Sequence, residues 1–142
     1  MDSDPDYTLN YEEPVLYAYA AANDVRDIDA IVRCFSPDGT FGLQIVDQEP
    51  VGPFGPDAET SLRDFMSATL FQQDDQRRHV VTNPRIRRID EDAHEVLSYF
   101  TLIVTDGQGT RVLTTGVYRD KVVRAGGAWL ISTKWLDLES PA

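Results

Sequence analysis

The second half of this chain is a succession of strand-like segments. Four segments, at 79–89, 93–105, 111–123 and 128–138, carry the apolar patterns and turn-forming boundaries of β-strands. Asp106-Gly107-Gln108-Gly109 and Ala125-Gly126-Gly127 are turn sequences, so the last three segments should pair as an antiparallel meander. Pro84 interrupts the first segment and predicts a kink or a bulge there.

The first half of the chain carries helical patterns instead. A first helix is expected to begin after Asn10, which can cap it, and to end at Asp24. A second helix should follow Asp27, with an apolar stripe that includes Phe35, and residues 36–39 (Ser-Pro-Asp-Gly) should stop it. A third helix is expected over 57–70.

One strand and one loop separate the second and third helices. Residues 40–47 alternate in the manner of a strand, whereas 49–56 hold three prolines and two glycines and predict a loop. The expected order is helix, helix, strand, helix and four strands. Early helices followed by long hairpins predict an α+β fold, in which a curved, mostly antiparallel sheet wraps partly around a helix and encloses an apolar pocket.

Length and charge limit the domain count and the partners. A chain of 142 residues with 42% hydrophobic content fits one domain, expected over 10–142 and preceded by a loose acidic leader at 1–9. The net charge of -11 would repel nucleic acid and anionic membrane surfaces. The substrate should therefore be a neutral small molecule, or one bound where the local charge reverses.

The cysteine count and the N-terminus bear on localisation. Cys34 is the one cysteine of the sequence, which excludes an internal disulfide, and it is interpreted as a small core residue. The acidic N-terminal residues lack the basic and apolar regions of a signal peptide, and no apolar run reaches membrane-spanning length. The expected location is the cytoplasm.

Two histidines are the candidates for acid–base chemistry. His79 shares strand parity with Val81 and should face the interior with it, where an imidazole can act as a general base if a carboxylate orients it. Asp24, at the end of the first helix, is the best candidate for that carboxylate, although both residues also have purely structural interpretations. His94 follows three acidic residues in a hairpin turn and is interpreted as solvated or acid-paired.

Several segments resemble the SnoaL-like and scytalone dehydratase-like branch of the nuclear transport factor 2-like superfamily. The resemblance covers nearly the whole chain and is carried by Tyr19 to Asp29, Phe35 to Gly39, Arg78 to Asn83, Gly116 to Asp120 and Gly127 to Ile131. It implies a cone-shaped α+β barrel with three helices on a mixed sheet. It also implies a homodimer, because sheets of this superfamily often pair across their open face.

The resemblance implies a catalytic role for the two candidate residues. In members that eliminate water or chloride, an Asp at the end of the first helix orients a His on this strand, and Asp24 and His79 fill those positions. Tyr19 matches a tyrosine of the bile acid dehydratase, and Lys134 lands on an arginine of a dehydrochlorinase. The implied activity is that of a dehydratase or cyclase, a lyase or isomerase acting on a hydrophobic oxygenated molecule such as a polyketide or a steroid-like ring.

Other residues were assigned to the pocket wall or to the surface. The expected substrate-binding side chains, besides Lys134, are Asn23, Phe65, Met66, Phe100, Tyr118 and Trp129. The arginines at 77, 78, 85, 87 and 88 are interpreted as a solvated strand face that pairs with the chain's own carboxylates. No metal-ligand spacing and no nucleotide- or phosphate-binding motif occurs in the sequence, so cofactor-free chemistry is expected.

Two alternatives remain open at this point. A cyclase can shape a reactive substrate by confinement alone, in which case the rate would not depend on the His79 base. The same fold also serves as a transport adaptor and as the small structural subunit of ring-hydroxylating dioxygenases, so the chain could be a ligand-binding or assembly module.

Overall fold

Three helices and six strands make up the described part of the chain. The computed structural model describes residues 13–56 and 58–142, so the expected leader, the Asn10 cap and residue 57 lie outside the described residues. The helices are α1 (Glu13–Asp24), α2 (Ile28–Arg33) and α3 (Leu62–Leu70). The strands are β1 (Phe35–Ile45), β2 (Val51–Phe54), β3 (Gln76–Asp90), β4 (Ala93–Asp106), β5 (Gly109–Ala125) and β6 (Ala128–Leu138).

All six strands belong to one mixed sheet. Its order is β2-β1-β6-β5-β4-β3, with β1 parallel to β6 and every other neighbouring pair antiparallel. The expected meander of the last three strands is therefore confirmed. Among the described residues the sheet does not close on itself, because β2 and β3 are its two edges. The α+β architecture with three helices on a curved sheet is confirmed as an open cone.

The break expected at Pro84 is present in β3. The pairing of β3 with β4 shifts register between Thr82 and Arg85, and Asn83 adopts a φ of 54°. A proline cannot donate to a strand ladder, so the strand accommodates it at an irregularity. On the N-terminal side of the break, His79 pairs with Leu102 and Val81 with Phe100.

The first turns of α2 and α3 are stabilised by side-chain caps. Asp27 accepts a hydrogen bond from the backbone N–H of Ala30 (3.1 Å), and Ser61 accepts one from that of Asp64 (3.1 Å). The third helix therefore begins at Leu62, later than the expected range of 57–70. Phe35 was expected in the second helix, but α2 ends at Arg33 and Phe35 is the first residue of β1.

Two further sequence expectations were wrong in the same region. Residues 36–39 were expected to stop a helix, but they lie inside β1, where the Ser36 hydroxyl donates to the Asp38 carboxylate (3.0 Å). The pairing of β1 with β6 shifts register between Phe35 and Thr40, which leaves room for Pro37 without a ladder bond. Residues 49–56 were expected to form a loop, but they contain the short edge strand β2.

The core consists of two clusters of buried apolar side chains. The larger cluster joins the inner faces of the helices to the sheet, and Leu16, Ile31, Val122 and Ile131 are among its members. The smaller cluster lies on β4, β5 and β6 and contains Phe100, Leu102, Tyr118, Leu136 and Leu138. In the described part of the chain, no helix is long and apolar enough to cross a membrane.

Candidate functional site

A small cavity lies between the helices and the sheet, and residues of both core clusters line it. Its volume is about 120 Å³. That is below the range of roughly 300–1,000 Å³ that is usual for drug-sized ligands, and the cavity is partly open to solvent, so it suits a small molecule of one or two rings. The lining residues are Tyr19, Asn23, Phe41, Leu43, Phe65, Met66, Thr69, Leu70, Gln73, Arg77, His79, Phe100, Leu102, Tyr118, Leu136, Leu138 and Ala142.

Asp24 and His79 meet at the wall of this cavity. Asp24 is the last residue of α1, and His79 lies on the cavity side of β3. The Asp24 Oδ1 atom lies 2.7 Å from the His79 ring atom Nδ1 and also accepts the backbone N–H of His79 at 2.7 Å. The side chains are 26% and 13% exposed, so both are largely removed from water.

This hydrogen bond determines which ring nitrogen of His79 can act as a base. Asp24 is an acceptor when ionised, so in the neutral imidazole the proton resides on Nδ1 and the lone pair on Nε2. Among the described residues no hydrogen bond to Nε2 is found. The ring packs against Phe100, with 5.4 Å between the ring centroids, which helps to fix its orientation. The arrangement therefore supplies an oriented base with its lone pair unoccupied.

A set of ion pairs next to the dyad fixes the approach of β3 to α1. The Arg77 Nε atom donates to Asp75 Oδ1 (2.8 Å), and the Arg26 guanidinium donates to the backbone carbonyl of Asp75. Arg26 follows Asp24 by two residues, so these bonds tie the end of α1 to the start of β3. Arg77 lines the cavity and its side chain is 18% exposed, so the expected solvated position was wrong, whereas the expected pairing with a carboxylate of the chain is present in its contact with Asp75.

Tyr19 and Tyr118 form a pair of buried phenols on the cavity wall, with 6.3 Å between their ring centroids. Burial raises the pKa of the Tyr19 phenol above its ordinary value, although a hydrogen bond with Asn23 works in the opposite direction. Burial also raises the pKa of Tyr118, and the neighbouring Tyr19 adds to the rise. Both phenols are therefore neutral at physiological pH and can donate a hydrogen bond.

Lys134 is only 2% exposed and lies behind these phenols, in an ion pair with Asp120. Its Nζ atom donates to both oxygens of Asp120, at 3.0 and 3.2 Å, and lies 3.8 Å from the centroid of the Tyr118 ring and 4.6 Å from that of Tyr19. Burial lowers the pKa of Lys134 and raises that of Asp120, while the charge of each partner opposes the shift of the other. Two contacts from one Nζ atom to both oxygens of a carboxylate are the geometry of an ion pair.

His94 and Trp129 form a second buried aromatic contact, at the end of the sheet where β4 begins. His94 is 4% exposed, and its ring stacks on that of Trp129 with 4.5 Å between the centroids. Of the two expected settings for His94, solvated or acid-paired, the solvated one was wrong, because β4 begins at Ala93 and directs His94 into the interior. The exposed face of Trp129 carries the Arg124 guanidinium at 5.6 Å.

Most of the residues expected at the site are brought together, and two are not. Besides His79 and Tyr19, the cavity wall includes the expected residues Asn23, Phe65, Met66, Phe100 and Tyr118. Within 13–56 and 58–142, the lining includes neither Lys134 nor Trp129. Sequence reasoning missed Gln73 and Arg77, although Arg77 shares the strand parity of His79 and could have been found from it.

A metal site does not emerge from the same geometry. In the part of the chain that the structure describes, no three His, Cys, Asp or Glu side chains come together in a way that could hold a metal ion.

Comparison with known proteins gives one family and a shared fold. A family model described as the SnoaL-like domain matches residues 13–134. Comparison with curated proteins found no match. Among solved structures, a protein of unknown function with a cystatin-like fold from Nostoc punctiforme is similar, with a TM-score of 0.71 and 20% identity over 91% of this chain and 89% of that one.

Two proteins from Novosphingobium aromaticivorans are also similar in structure. One is the beta subunit of a proposed aromatic-ring-hydroxylating dioxygenase, with a TM-score of 0.73 and 14% identity over 93% of this chain and 89% of that one. The other is a proposed scytalone dehydratase, with a TM-score of 0.66 and 20% identity over 90% of this chain and 81% of that one. Identities this low show a common fold.

Proposed function

The chain belongs to the SnoaL-like domain family, and on this premise we propose that it is a cofactor-free lyase or isomerase of the dehydratase or cyclase type. Its substrate is a hydrophobic oxygenated small molecule with a ring that enters the cavity. His79 is the general base, and Asp24 orients it and stabilises the imidazolium that forms.

The observation that carries this proposal is the 2.7 Å contact between His79 Nδ1 and Asp24 Oδ1 at the cavity wall. A histidine that served packing alone would not need a carboxylate on one nitrogen and a cavity beside the ring. In the proposed reaction, Nε2 removes a proton from a carbon or oxygen atom of the bound substrate. The electron pair that is released then moves toward an oxygen or expels a leaving group.

The buried phenols support the same chemistry. An oxygen of the substrate that gains negative charge needs a hydrogen-bond donor, and a neutral phenol on the cavity wall supplies one. Tyr19 is proposed for this role. The Lys134 ammonium acts through the ring faces of Tyr19 and Tyr118 and makes both phenols better donors, so Lys134 is a positioning residue.

The proposal can be tested with a probe that reports proton abstraction directly. Ring opening of 5-nitrobenzisoxazole begins with removal of its one ring proton next to nitrogen, breaks the N–O bond and releases a coloured phenolate. We expect a saturable rate with the unaltered protein. His79→Gln and Asp24→Asn should each lower that rate by about 100-fold or more, which is the scale of general base catalysis.

A matched control is provided by the second histidine. His94→Gln removes an imidazole that stacks on Trp129, and it should keep the rate within a few-fold if thermal unfolding shows a folded protein. An unchanged rate in His79→Gln, with a shallow pH profile, would instead favour catalysis by confinement. No saturable rate, together with co-purification of a larger partner, would favour an assembly subunit.

The proposal includes a homodimer in the cytoplasm. Light scattering during size-exclusion chromatography should give twice the chain mass of 16.0 kDa.

A further inference from the structure

Arg77 brings a permanent positive charge to the cavity wall, close to His79. Among the described residues that line the cavity, it is the one with a permanently charged side chain. It lies two residues before His79 on β3 and on the same face, so the two Cα atoms are about 6.6 Å apart. A ligand that reaches His79 is therefore within reach of Arg77.

One edge of the Arg77 guanidinium is occupied and the other is available. Its Nε and Nη2 atoms face the two oxygens of Asp75, at 2.8 and 3.4 Å. A guanidinium has five N–H groups, so Nη1 and the second hydrogen of Nη2 remain and form a further planar fork. Among the described residues no acceptor bonds Nη1. A carboxylate matches such a fork with two parallel hydrogen bonds.

The surroundings of Arg77 contain a second guanidinium group, although the chain is acidic. Arg26 and Arg77 both approach Asp75, with 4.0 Å between Arg26 Nη2 and Asp75 Oδ1. These two guanidinium groups balance the carboxylates of Asp75 and of Asp24 beside His79, so the four groups have no net charge, in a chain whose net charge is -11. The acidic excess of the chain is therefore not concentrated in these four groups, and the free fork of Arg77 can attract an anion.

We propose that the cavity selects apolar ring molecules that carry one carboxylate, and that Arg77 binds this group through its free fork. The inference deepens the proposed function, on which it rests for the reaction at His79 but not for binding. The carboxylate is held at Arg77, the ring packs against the aromatic wall that includes Phe100, and the reacting atom lies beside His79 Nε2.

The test compares two probes of the same shape, 2-naphthoate and 2-naphthamide. Binding is measured by NMR, from the shifts of the imidazole nitrogen resonances of His79. A His79→Gln sample lacks these resonances and therefore assigns them. Only a probe that binds in this cavity is expected to shift them. The unaltered protein should bind 2-naphthoate at least about tenfold more tightly than 2-naphthamide, since hydrogen bonds between charged groups are worth about that factor. Arg77→Lys should reduce the preference and Arg77→Gln should remove it.

Controls separate recognition from folding. Asp75→Asn/Arg77→Gln removes both partners of the ion pair together, so no unpaired carboxylate remains, and it should also lack the preference. Arg78→Gln makes the same charge change at the next residue of β3, which is exposed and outside the cavity lining, and it should retain the preference.

Equal affinity for the two probes, no shift of the His79 resonances with 2-naphthoate at millimolar concentration, or a preference that survives Arg77→Gln would each overturn the inference. The proposed function is judged separately, by the rate with 5-nitrobenzisoxazole, which carries no carboxylate. A protein that prefers 2-naphthoate and shows no such rate would support Arg77 recognition without His79 catalysis.

Discussion

One oxygen of Asp24 accepts two hydrogen bonds from His79, one from the backbone N–H and one from ring Nδ1, each 2.7 Å long. The two residues are 55 positions apart in the chain. The backbone bond fastens β3 to the end of α1, and the ring bond fixes the imidazole on that fastened strand. The same carboxylate thus serves the fold and the orientation of the candidate base.

Removal of the Asp24 acceptor should change the protonation pattern of the His79 ring. In the unaltered protein at neutral pH, the nitrogen resonances of His79 should show a protonated Nδ1 and an unprotonated Nε2. Asp24→Leu removes the acceptor and leaves the ring free to carry its proton on Nε2, so the two resonances should exchange character. The ring of His94, at the start of β4 and stacked on Trp129, serves as a control in the same spectrum and should not change.

Loss of the Tyr19 hydroxyl should affect the rate more than the stability. Tyr19→Phe keeps the ring that packs edge-on against Phe35 and Phe41, at centroid distances of 5.8 and 6.4 Å. It removes a donor to the oxygen that gains charge, which should lower the rate with 5-nitrobenzisoxazole by about 10- to 100-fold. The free energy of unfolding should change by about 1 kcal/mol or less. A lower stability with an unchanged rate would assign the phenol to packing.

Breaking the buried ion pair should destabilise the protein strongly. Lys134→Met leaves the Asp120 carboxylate buried without its partner, which costs about 3–5 kcal/mol of unfolding free energy. Lys134→Met/Asp120→Leu removes both charges and should recover most of that loss. Urea unfolding measures both values.

An exposed pair on the neighbouring surface gives the matched comparison for that prediction. Arg119 and Asp137 form a salt bridge of 2.8 Å with side chains that are half-exposed. Arg119→Met should therefore cost about 1 kcal/mol or less, because water screens this pair. An equal loss in Arg119→Met and Lys134→Met would contradict the assignment of a buried, ionised Lys134.

Strand parity predicted the inward direction of His79, and the structure agrees because alternate residues of a strand share a face. The same rule would have placed Arg77 inward, but its membership in a run of arginines led to the opposite prediction. Composition describes a segment as a whole, whereas a strand separates neighbouring residues onto two faces. Arg77 and Arg78 show this separation, one on the cavity wall and the other exposed.

Local sequence patterns could not predict the contacts between residues that are far apart in the chain. Asp24 was named as the best partner for His79 because it ends the first helix, but local pattern alone left a structural role for both residues open, and the family resemblance strengthened the pairing. Lys134 was expected to bind substrate, but Asp120 on the adjacent strand holds its ammonium, because the two residues are partners in the register of β5 and β6. His94 was interpreted as solvated or acid-paired from its acidic neighbours, yet the strand begins one residue earlier and turns it inward, which excludes the solvated alternative.

Gly39 lies in the segment 36–39, which the sequence predicted to stop a helix and which forms part of β1. A Cβ atom at Gly39 would lie 2.9 Å from the carbonyl oxygen of Ile131, 2.9 Å from Phe35 Cβ and 2.9 Å from the Ser36 carbonyl oxygen. Two of these neighbours are backbone atoms, so they cannot move aside as the end of a flexible side chain could. Gly39→Ala should therefore force β1 away from β6 and lower the unfolding free energy by about 1–3 kcal/mol, the usual scale for overpacking.

The control is Gly107→Ala, which adds the same methyl group in the turn after β4. No described atom lies within 4 Å of the new Cβ there, so it should change the unfolding free energy by about 0.5 kcal/mol or less. Urea unfolding measures the unfolding free energy of both variants. Equal stability of the two would contradict the close approach of β1 to β6 at Gly39 and would mean that 36–39 forms a loose turn.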